Sequence, residues 1–299
     1  MHRISLIINY SLLIVNYPRP LISLTTWLLC VAVWAQTSTF PLPSVPDTLQ
    51  QEERLAYVLD HYWDRYLWSD ATQENLLLGE QGLVDFLNLM QYADSLVADR
   101  CAASFVQQAF ATVELGKHYD GLLEHYLYNQ HSPLRNDLTY AHLLRHLSAV
   151  DAPISASDRQ RYRVRLMNVE KNQVGSVAAD FRFRDTDGRQ RRLHEIDAPL
   201  TLLMFTDPEC ATCQSVEEQM KHEPLFHDSR LKMVRVLPFD DSKLKTEGAS
   251  ARDIGNRYFV PVTPAFYLLD ANKRVLLKNA TFGQTLQTLQ ELKREREKE

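Results

Sequence analysis

The hydrophobic pattern of this 299-residue chain changes once, near residue 174, and this change constrains the fold more than any other feature. Before it, from Asp47 to about Gln173, apolar residues recur at three- and four-residue steps, which places them on one face of a helix. After it, short apolar runs are separated by turn-forming residues, as in strands. We therefore expect a helical domain over residues 36–173, followed by an α/β domain over residues 174–299.

The helical pattern is clearest between Leu49 and Trp68, where one stripe of apolar side chains recurs. Its members are Leu55, Val58, Leu59, Tyr62, Tyr66 and Leu67. No strand-like alternation interrupts the pattern as far as Gln173, so we expect a helical bundle or array. Ser132 and Pro133 have the residue types of an N-cap and a first helical position, and they predict the start of one helix.

Two features of the helical half fit either packing or function. Four aromatic residues would line a ligand groove or fill the core, and helical spacing favours the core. They are Tyr62, Trp63, Tyr66 and Trp68. Cys101 also lies in a helical stretch, where a cysteine is most often a small buried side chain.

The second half has the pattern of a sheet covered by helices. Two continuous apolar runs, LTLLMFT and LKMVRVLPF, are typical of strands that are buried on both faces. The segments PAFYLLD, ANKR and VLLKNA predict a hairpin, and residues 247–258 and the tail after Gly283 predict helices. Together they predict a mixed sheet with helices packed against it. The fold class is therefore α+β in two domains, an all-α domain followed by an α/β domain.

Residues 1–35 have the pattern of an export signal. Basic residues precede an apolar run from Leu21 to Ala35, which is short for a membrane-spanning helix but suits a signal-peptide core. We expect a cleaved signal peptide and an exported protein, in the periplasm or cell envelope, with an uncleaved anchor as the alternative. Cleavage would remove Cys30 and leave three cysteines in a compartment where disulfides persist. They are Cys101, Cys210 and Cys213.

Cys210 and Cys213 directly follow the run LTLLMFT and begin a helical pattern. The Cβ atoms of residues three apart on a helix are about 5–6 Å apart, so a small adjustment brings two such sulfurs within disulfide distance. The amides and dipole of a first helical turn would stabilise a thiolate at Cys210. Cys213, one turn further along, would be more buried. The spacing predicts that Cys210 is the nucleophile and Cys213 the resolving thiol of thiol-disulfide exchange.

Other interpretations of the pair stay open at this point. A zinc site needs two more ligands, for which His222 and His227 are the nearby candidates. A structural disulfide that closes so short a ring would constrain the unfolded chain little. Chance spacing is the remaining alternative.

Residues 175–290 resemble the thioredoxin-like family, in its exported TlpA-type and AhpC/TSA-type branch. The segment GSVAADFRFRDTDG is similar to the opening of that branch, LTLLMFTDPECATC to its strand and Cys-x-x-Cys motif, and NRYFVPVTPAFYLLD to its cis-proline strand. The resemblance implies a thioredoxin-like α/β domain, with a cis bond between Thr263 and Pro264 that lies beside the cysteines and contacts substrate. Residues 40–173 resemble a helical domain of unknown function that precedes such domains in exported bacterial proteins.

Two departures from the family pattern bear on the chemistry. Glu209 stands where a tryptophan often precedes the first cysteine, and Met204 stands where a buried carboxylate often takes the proton of the resolving thiol. Asp207 and Glu209 are nearby carboxylates that would serve in proton transfer. Their negative charge would also raise the pKa of Cys210.

A peroxidase is the nearest rival within the same fold. Pro208 and Thr212 fit the peroxiredoxin motif Pro-x-x-x-Thr-x-x-Cys, but Ser215 stands at its cysteine position, and Cys213 comes too early. The sequence therefore favours thiol-disulfide exchange over peroxide reduction.

We expect an exported thiol-disulfide oxidoreductase that needs no cofactor and no metal. Its partners would be a disulfide-bearing protein or a small thiol, and a membrane or periplasmic thiol redox protein. The net charge is −5 and no basic run is interleaved with aromatic residues, so nothing favours nucleic acid. The alternative from another class is an envelope binding or interaction protein whose thioredoxin-like domain is vestigial.

Overall fold

A computed structural model of the chain describes the residues that carry the helices, the sheet and the cysteine pair. These are residues 39–149, 154–185, 187, 189–237, 249–250, 254 and 257–298. The predicted signal peptide, residues 1–35, lies outside them. By its internal contacts the chain from Thr39 onward forms one unit. None of the helices in the described part is long and apolar enough to cross a membrane.

In the described part of the first half every regular element is helical, as its periodicity predicts. It contains six α-helices: α1 (Gln51–Asp60), α2 (Gln73–Met90), α3 (Ser95–Ala109), α4 (Val113–Leu123), α5 (Asp137–Leu147) and α6 (Ala156–Val169). A π-helical turn, Glu124–Tyr128, continues α4. The aromatic cluster lies in the core, where Tyr62, Trp63 and Tyr66 are at most 5% exposed, so the packing interpretation is confirmed.

The start of α5 differs from the prediction. The helix begins at Asp137, because the Asn136 side chain accepts hydrogen bonds from the amides of Leu138 and Thr139 at 3.0 and 3.1 Å. Asparagine is among the best N-cap residues. Ser132 caps only a turn, because its hydroxyl accepts the amide of Leu134 at 3.2 Å and donates to the carbonyl of Tyr126 at 2.6 Å, while the helix begins five residues later.

The described residues of the second half form a mixed sheet, as expected, with five strands. Its strands are β3 (Leu200–Phe205), β4 (Leu231–Leu237), β5 (Ala249–Ser250), β6 (Ala265–Asp270) and β7 (Val275–Ala280), in the order β5-β4-β3-β6-β7. The β3–β4 and β4–β5 pairs are parallel, and the β3–β6 and β6–β7 pairs are antiparallel. A separate hairpin joins β1 (Arg182–Arg184) to β2 (Gln190–Arg192).

Two helices pack against one face of this sheet. They are α7 (Ala211–His222), which follows β3, and α8 (Phe282–Arg296), which follows β7. Leu202 and Met204 of β3 face Val216 and Met220 of α7, which is one reason why residues 202–205 are all apolar. The alternate residues Leu203 and Phe205 enter a second core on the opposite face.

The predicted helix over residues 247–258 is wrong at its start. Ala249 and Ser250 form β5, because their backbone pairs with Val236 and Leu237 of β4 and so completes that edge of the sheet. Most of the remaining residues of that prediction lie outside the described part of the chain.

Buried polar contacts join the helical half to the sheet. The ammonium group of Lys278 on β7, 3% exposed, lies 2.7 Å from the Asp137 carboxylate and 2.6 Å from the carbonyl of Val169. The guanidinium of Arg135 donates to the carbonyl of Asn279 at 2.9 Å. Because isolated charges are costly to bury, these partners fix where β7 meets α5 and α6.

Candidate active site

The cysteine pair lies where β3 passes into α7. Cys210 is the N-cap residue of α7, with extended backbone angles, and Cys213 lies in the first helical turn. The strand register pairs Phe205 at the end of β3 with Ala265 at the start of β6. The cis peptide bond between Thr263 and Pro264, directly before β6, therefore lies beside the residues that lead to Cys210.

Local hydrogen bonds hold the turn before the helix. The amide of Cys210 donates to the carbonyl of Asp207 at 3.0 Å, and the amide of Glu209 donates to the Asp207 carboxylate at 2.9 Å. The side chain of Gln214 donates to the carbonyl of Pro208 at 2.7 Å. An aspartate whose carboxylate accepts an amide two residues later commonly forms the turn between a strand and a helix.

Cys210 presents a partly exposed free thiol at this helix start. The Cys213 amide donates to its Sγ atom at 3.4 Å. The pKa of Cys210 is lowered, first by the hydrogen bond from the Cys213 thiol and then by the amides of Cys213 and Thr212, against the opposing effects of burial and of the Asp207 charge. The site thus stabilises a thiolate on the accessible sulfur.

Cys213 is free as well, but only 1% exposed. Burial raises its pKa, while the amide of Asp207 and the hydroxyls of Thr263 and Thr206 act in the opposite direction as hydrogen-bond partners of the thiol. The two shifts are opposite in direction, so the accessible outer sulfur loses its proton more readily than the buried inner one.

The residues predicted for the site take different places in it. Cys210, Cys213 and Thr263 meet at the two sulfurs, and Pro264 follows Thr263 in the adjoining cis bond. Asp207 contributes backbone groups to this region, and its charge raises the pKa of Cys210. Glu209 lies in the exposed turn beside these residues, one position before Cys210.

Two residues of this region were not predicted from the sequence: Thr206, beside Cys213, and Glu217, beside Thr206. The Thr206 hydroxyl donates to the Glu217 carboxylate at 3.1 Å and is also a hydrogen-bond partner of the Cys213 thiol. The spacing of four residues between Cys213 and Glu217 was the available signal, because residues four apart share one face of a helix.

The two histidines considered as zinc ligands have other partners in the structure. The ring of His222 lies 3.3 Å from Glu218, and that of His227 lies 3.0 Å from the carbonyl of Lys221. His222 is nine residues beyond Cys213, on the order of 13 Å along α7. Across the part of the chain that the structure describes, no group of three histidine, cysteine or carboxylate side chains is arranged to hold a metal ion.

One family model and several solved structures match this chain. Residues 29–172 match the family model of a domain of unknown function, DUF5106. A search of curated proteins finds no match to the chain. Among solved structures, a thioredoxin-like protein from Bacteroides caccae superposes with a TM-score of 0.69, at 24% identity, over 85% of this chain and 98% of that chain.

Two shorter structures match at lower TM-scores. The C-terminal domain of an uncharacterized protein from Bacteroides fragilis is 29% identical over 40% of this chain and 98% of its own, with a TM-score of 0.36. A domain of a possible thiol-disulfide isomerase from Cytophaga hutchinsonii is 22% identical over 42% of this chain and 97% of its own, with a TM-score of 0.33. The Bacteroides caccae structure therefore shows the fold, that of a thioredoxin-like protein.

Proposed function

We propose that this chain, a thioredoxin-like protein with an N-terminal DUF5106 domain, is a thiol-disulfide oxidoreductase that acts through Cys210 and Cys213. The observation that carries the proposal is the arrangement of the two free thiols. The Cys210 sulfur lies at the start of α7 and accepts the amide of Cys213, whose own sulfur is 1% exposed beneath it. An accessible thiolate can attack a disulfide, whereas a buried thiol can react only with a disulfide formed above it.

The proposed cycle begins at Cys210. Its thiolate attacks one sulfur of a substrate disulfide, that disulfide breaks, and the other sulfur leaves with the electron pair as a thiolate. A mixed disulfide now joins Cys210 to the substrate. Cys213, as a thiolate, attacks the Cys210 sulfur, a bond forms between the two cysteines, and the second substrate thiolate leaves. The substrate disulfide is reduced and the cysteine pair is oxidised, so a thiol reductant must restore the pair.

Peroxide reduction is less well supported by the site. Ser215 occupies the position of the peroxidatic cysteine, and it lies exposed on the first turns of α7. Peroxide reduction would thus require attack by a cysteine at another position of the motif. Thiol-disulfide exchange through Cys210 and Cys213 needs no such change in the position of the reacting cysteine.

The proposal extends to location and partners. The apolar run from Leu21 to Ala35 supports export to the periplasm or cell envelope, where disulfide substrates occur. The substrate class is a disulfide-bearing protein or a small disulfide, and the electron partner is a membrane or periplasmic thiol redox protein. Fractionation of cells that produce the full chain tests this part, and retention of the uncleaved protein in the cytoplasm would contradict it.

A trapping experiment tests the activity. Without the resolving thiol, a Cys213→Ser variant should accumulate a mixed disulfide between Cys210 and its substrate, visible as a reducible adduct by mass spectrometry. The double variant Cys210→Ser/Cys213→Ser should form none, and Cys101→Ser should behave like the unmodified chain because Cys101 is 2% exposed. No adduct at Cys210 in the presence of excess disulfide would refute the proposed cycle.

A further inference from the structure

Residues 257–264, the pre-β6 segment, border the turn that carries Cys210. Phe205 at the end of β3 pairs with Ala265 at the start of β6, and such paired residues lie about 5 Å apart at Cα. The hydrogen bond of 3.0 Å from the Cys210 amide to the Asp207 carbonyl closes a turn whose ends are within about 7 Å of each other. Cys210 therefore stays close to the end of the pre-β6 segment.

The pre-β6 segment offers an exposed surface to whatever reaches Cys210. Pro261 and Val262 are exposed, Val262 to 46%, just before β6 begins. Because consecutive Cα atoms are about 3.8 Å apart, a disulfide within a polypeptide brings its flanking residues against this surface. A small disulfide without a peptide chain needs only the sulfur of Cys210. The position of the segment therefore affects a polypeptide substrate more than a small one.

A residue of the helical half holds the start of this segment. The side-chain amide of Asn172, which is 8% exposed and follows α6, donates to the carbonyl of Arg257 at 2.9 Å. Its side-chain oxygen accepts the amide of Ala179 at 2.7 Å. Its φ of 48° lies in the left-handed region, which asparagine adopts more readily than most residues. Asn172 thus ties the pre-β6 segment to the end of the helical half and to the start of the second half.

Two further contacts from the helical half meet at Phe259. The ring of Tyr128, in the π-helical turn, stacks on the Phe259 ring with centroids 6.3 Å apart and planes inclined by 17°. The carbonyl of Phe259 accepts the side-chain amide of Asn279 at 2.9 Å. The carbonyl of Asn279, a fully buried residue, accepts the Arg135 guanidinium at 2.9 Å. Tyr128 therefore acts on Phe259 directly, and Arg135 acts on it through Asn279.

The chain between Phe259 and β6 has little conformational freedom. Only five residues separate Phe259 from Ala265, and two of them are Pro261 and Pro264. A proline ring restricts φ to about −65°. Since Ala265 is fixed by its pairing in the sheet, a shift of Phe259 must be taken up by the residues between them, including the exposed Val262. Contacts at residues 257–259 therefore determine where the exposed surface lies.

We propose that Tyr128, Arg135 and Asn172 of the helical half hold the pre-β6 segment where a disulfide within an extended polypeptide binds beside Cys210. This inference rests on the proposed function and names the substrate class of that same site. Each of the three acts through residues 257–259 rather than on a sulfur, so all three are positioning residues. Loss of one contact lowers the fraction of molecules in which the segment is correctly placed, and the apparent affinity for a polypeptide falls by the same factor.

The rate of mixed-disulfide formation measures this effect. In the full chain with Cys213→Ser, attack by Cys210 leaves a trapped mixed disulfide, and mass spectrometry follows its formation at low substrate concentration. One substrate is a short unstructured peptide that is dimerised through its single cysteine. The other is a small symmetric aromatic disulfide. The ratio of the peptide rate to the aromatic rate cancels any change in the reactivity of Cys210 itself.

Two substitutions each remove one contact. Asn172→Asp keeps the oxygen that accepts the Ala179 amide but loses the donor to the Arg257 carbonyl. Tyr128→Leu removes the ring that stacks on the segment. Each should lower the rate ratio by roughly two- to tenfold, the factor that corresponds to one hydrogen bond or one aromatic pair. Tyr128→Phe keeps the ring and should restore the ratio.

Asn136→Ala is the matched control for a general loss of stability. Asn136 lies next to Arg135, but its side chain caps α5 by accepting amides of the first turn. Its loss should destabilise the helical half and leave the rate ratio unchanged. Arg135 itself is kept in these variants, because its guanidinium also lies 3.5 Å from the Asp137 carboxylate. Circular dichroism establishes that each variant is folded.

The outcomes separate this inference from the activity on which it rests. An unchanged rate ratio in Asn172→Asp and Tyr128→Leu would overturn the positioning role. An equal fall of the ratio in Asn136→Ala would reduce the effect to lost stability and would also overturn it. Reaction with the aromatic disulfide but not with the peptide would overturn the substrate class and leave the exchange activity standing. If the Cys213→Ser chain reacts with neither disulfide, the proposed function itself fails.

Discussion

Replacing Asp137 with asparagine is expected to destabilise the protein strongly, because it leaves the Lys278 ammonium buried without its charged partner. Lys278 is 3% exposed at its side chain, and its other hydrogen bond, of 2.6 Å, goes to the neutral carbonyl of Val169. Removing one member of a buried ion pair costs about 3–5 kcal/mol. For a protein of this size that corresponds to a fall in melting temperature on the order of 6–20 °C.

Replacing the other member of the pair, Lys278, with methionine should lower the free energy of unfolding by less. In Lys278→Met the Asp137 side chain keeps 13% exposure, and the guanidinium of Arg135 lies 3.5 Å away, so the carboxylate retains a partner. We expect the free energy of unfolding to fall by about 1–3 kcal/mol, the cost of leaving a polar group without all of its hydrogen bonds. The double variant should be more stable than the sum of the single effects predicts, because it removes both charges together.

Thermal and urea unfolding of the three variants, followed by circular dichroism, tests this reasoning. A matched control is Glu170→Gln, which removes an ion pair with Arg145 of similar length, 2.8 Å, in which the two side chains are 41% and 42% exposed. That substitution should alter the free energy of unfolding by no more than about 0.5 kcal/mol. If Asp137→Asn and Glu170→Gln have equal effects, burial does not govern the Lys278 pair and the reasoning is refuted.

Three further predictions concern single residues. Iodoacetamide at mildly alkaline pH should modify Cys210 first and leave Cys101 untouched in the folded protein, since burial raises the pKa of Cys101 to about 12; peptide mapping reads the order. Asn136→Ala should destabilise by about 1 kcal/mol through loss of the α5 cap, as measured by urea unfolding. The hydrogen bonds from Arg100 lower the pKa of Asp60 in the folded protein. Asp60 therefore stabilises the fold at pH values above its unfolded pKa of about 3.9. This stabilisation is lost as the pH falls through the lower pKa of the folded state. Asp60→Asn should therefore flatten the loss of stability in acid, in unfolding curves taken at several pH values.

The arrangement of elements could be predicted from the sequence because burial determines hydrophobic periodicity. β3 is buried on both faces and is apolar at every position from Leu202 to Phe205, whereas α7 buries only Cys213, Val216 and Met220 along one stripe. This change from strand to helix, together with the cysteine spacing, predicted where Cys210 would lie.

The features that the sequence did not predict depend on contacts between distant segments. Ser132 has the residue type of an N-cap, but its hydroxyl bonds to the preceding π-helical turn. Ala249 and Ser250 lie in a segment whose residue pattern predicts a helix, yet they pair with the edge of β4. The contact of Thr206 with Glu217 exists only once α7 packs against the end of β3.

The pKa of the Cys210 thiol tests the central claim most directly. The rate at which Cys210 is alkylated, followed over a range of pH by mass spectrometry of its peptide, reports the fraction of thiolate. We expect a midpoint below the free value of about 8.5, because the thiol and amide of Cys213 and the amide of Thr212 stabilise the charged sulfur. A midpoint at or above that value would contradict the proposed oxidoreductase and favour a vestigial thioredoxin-like domain.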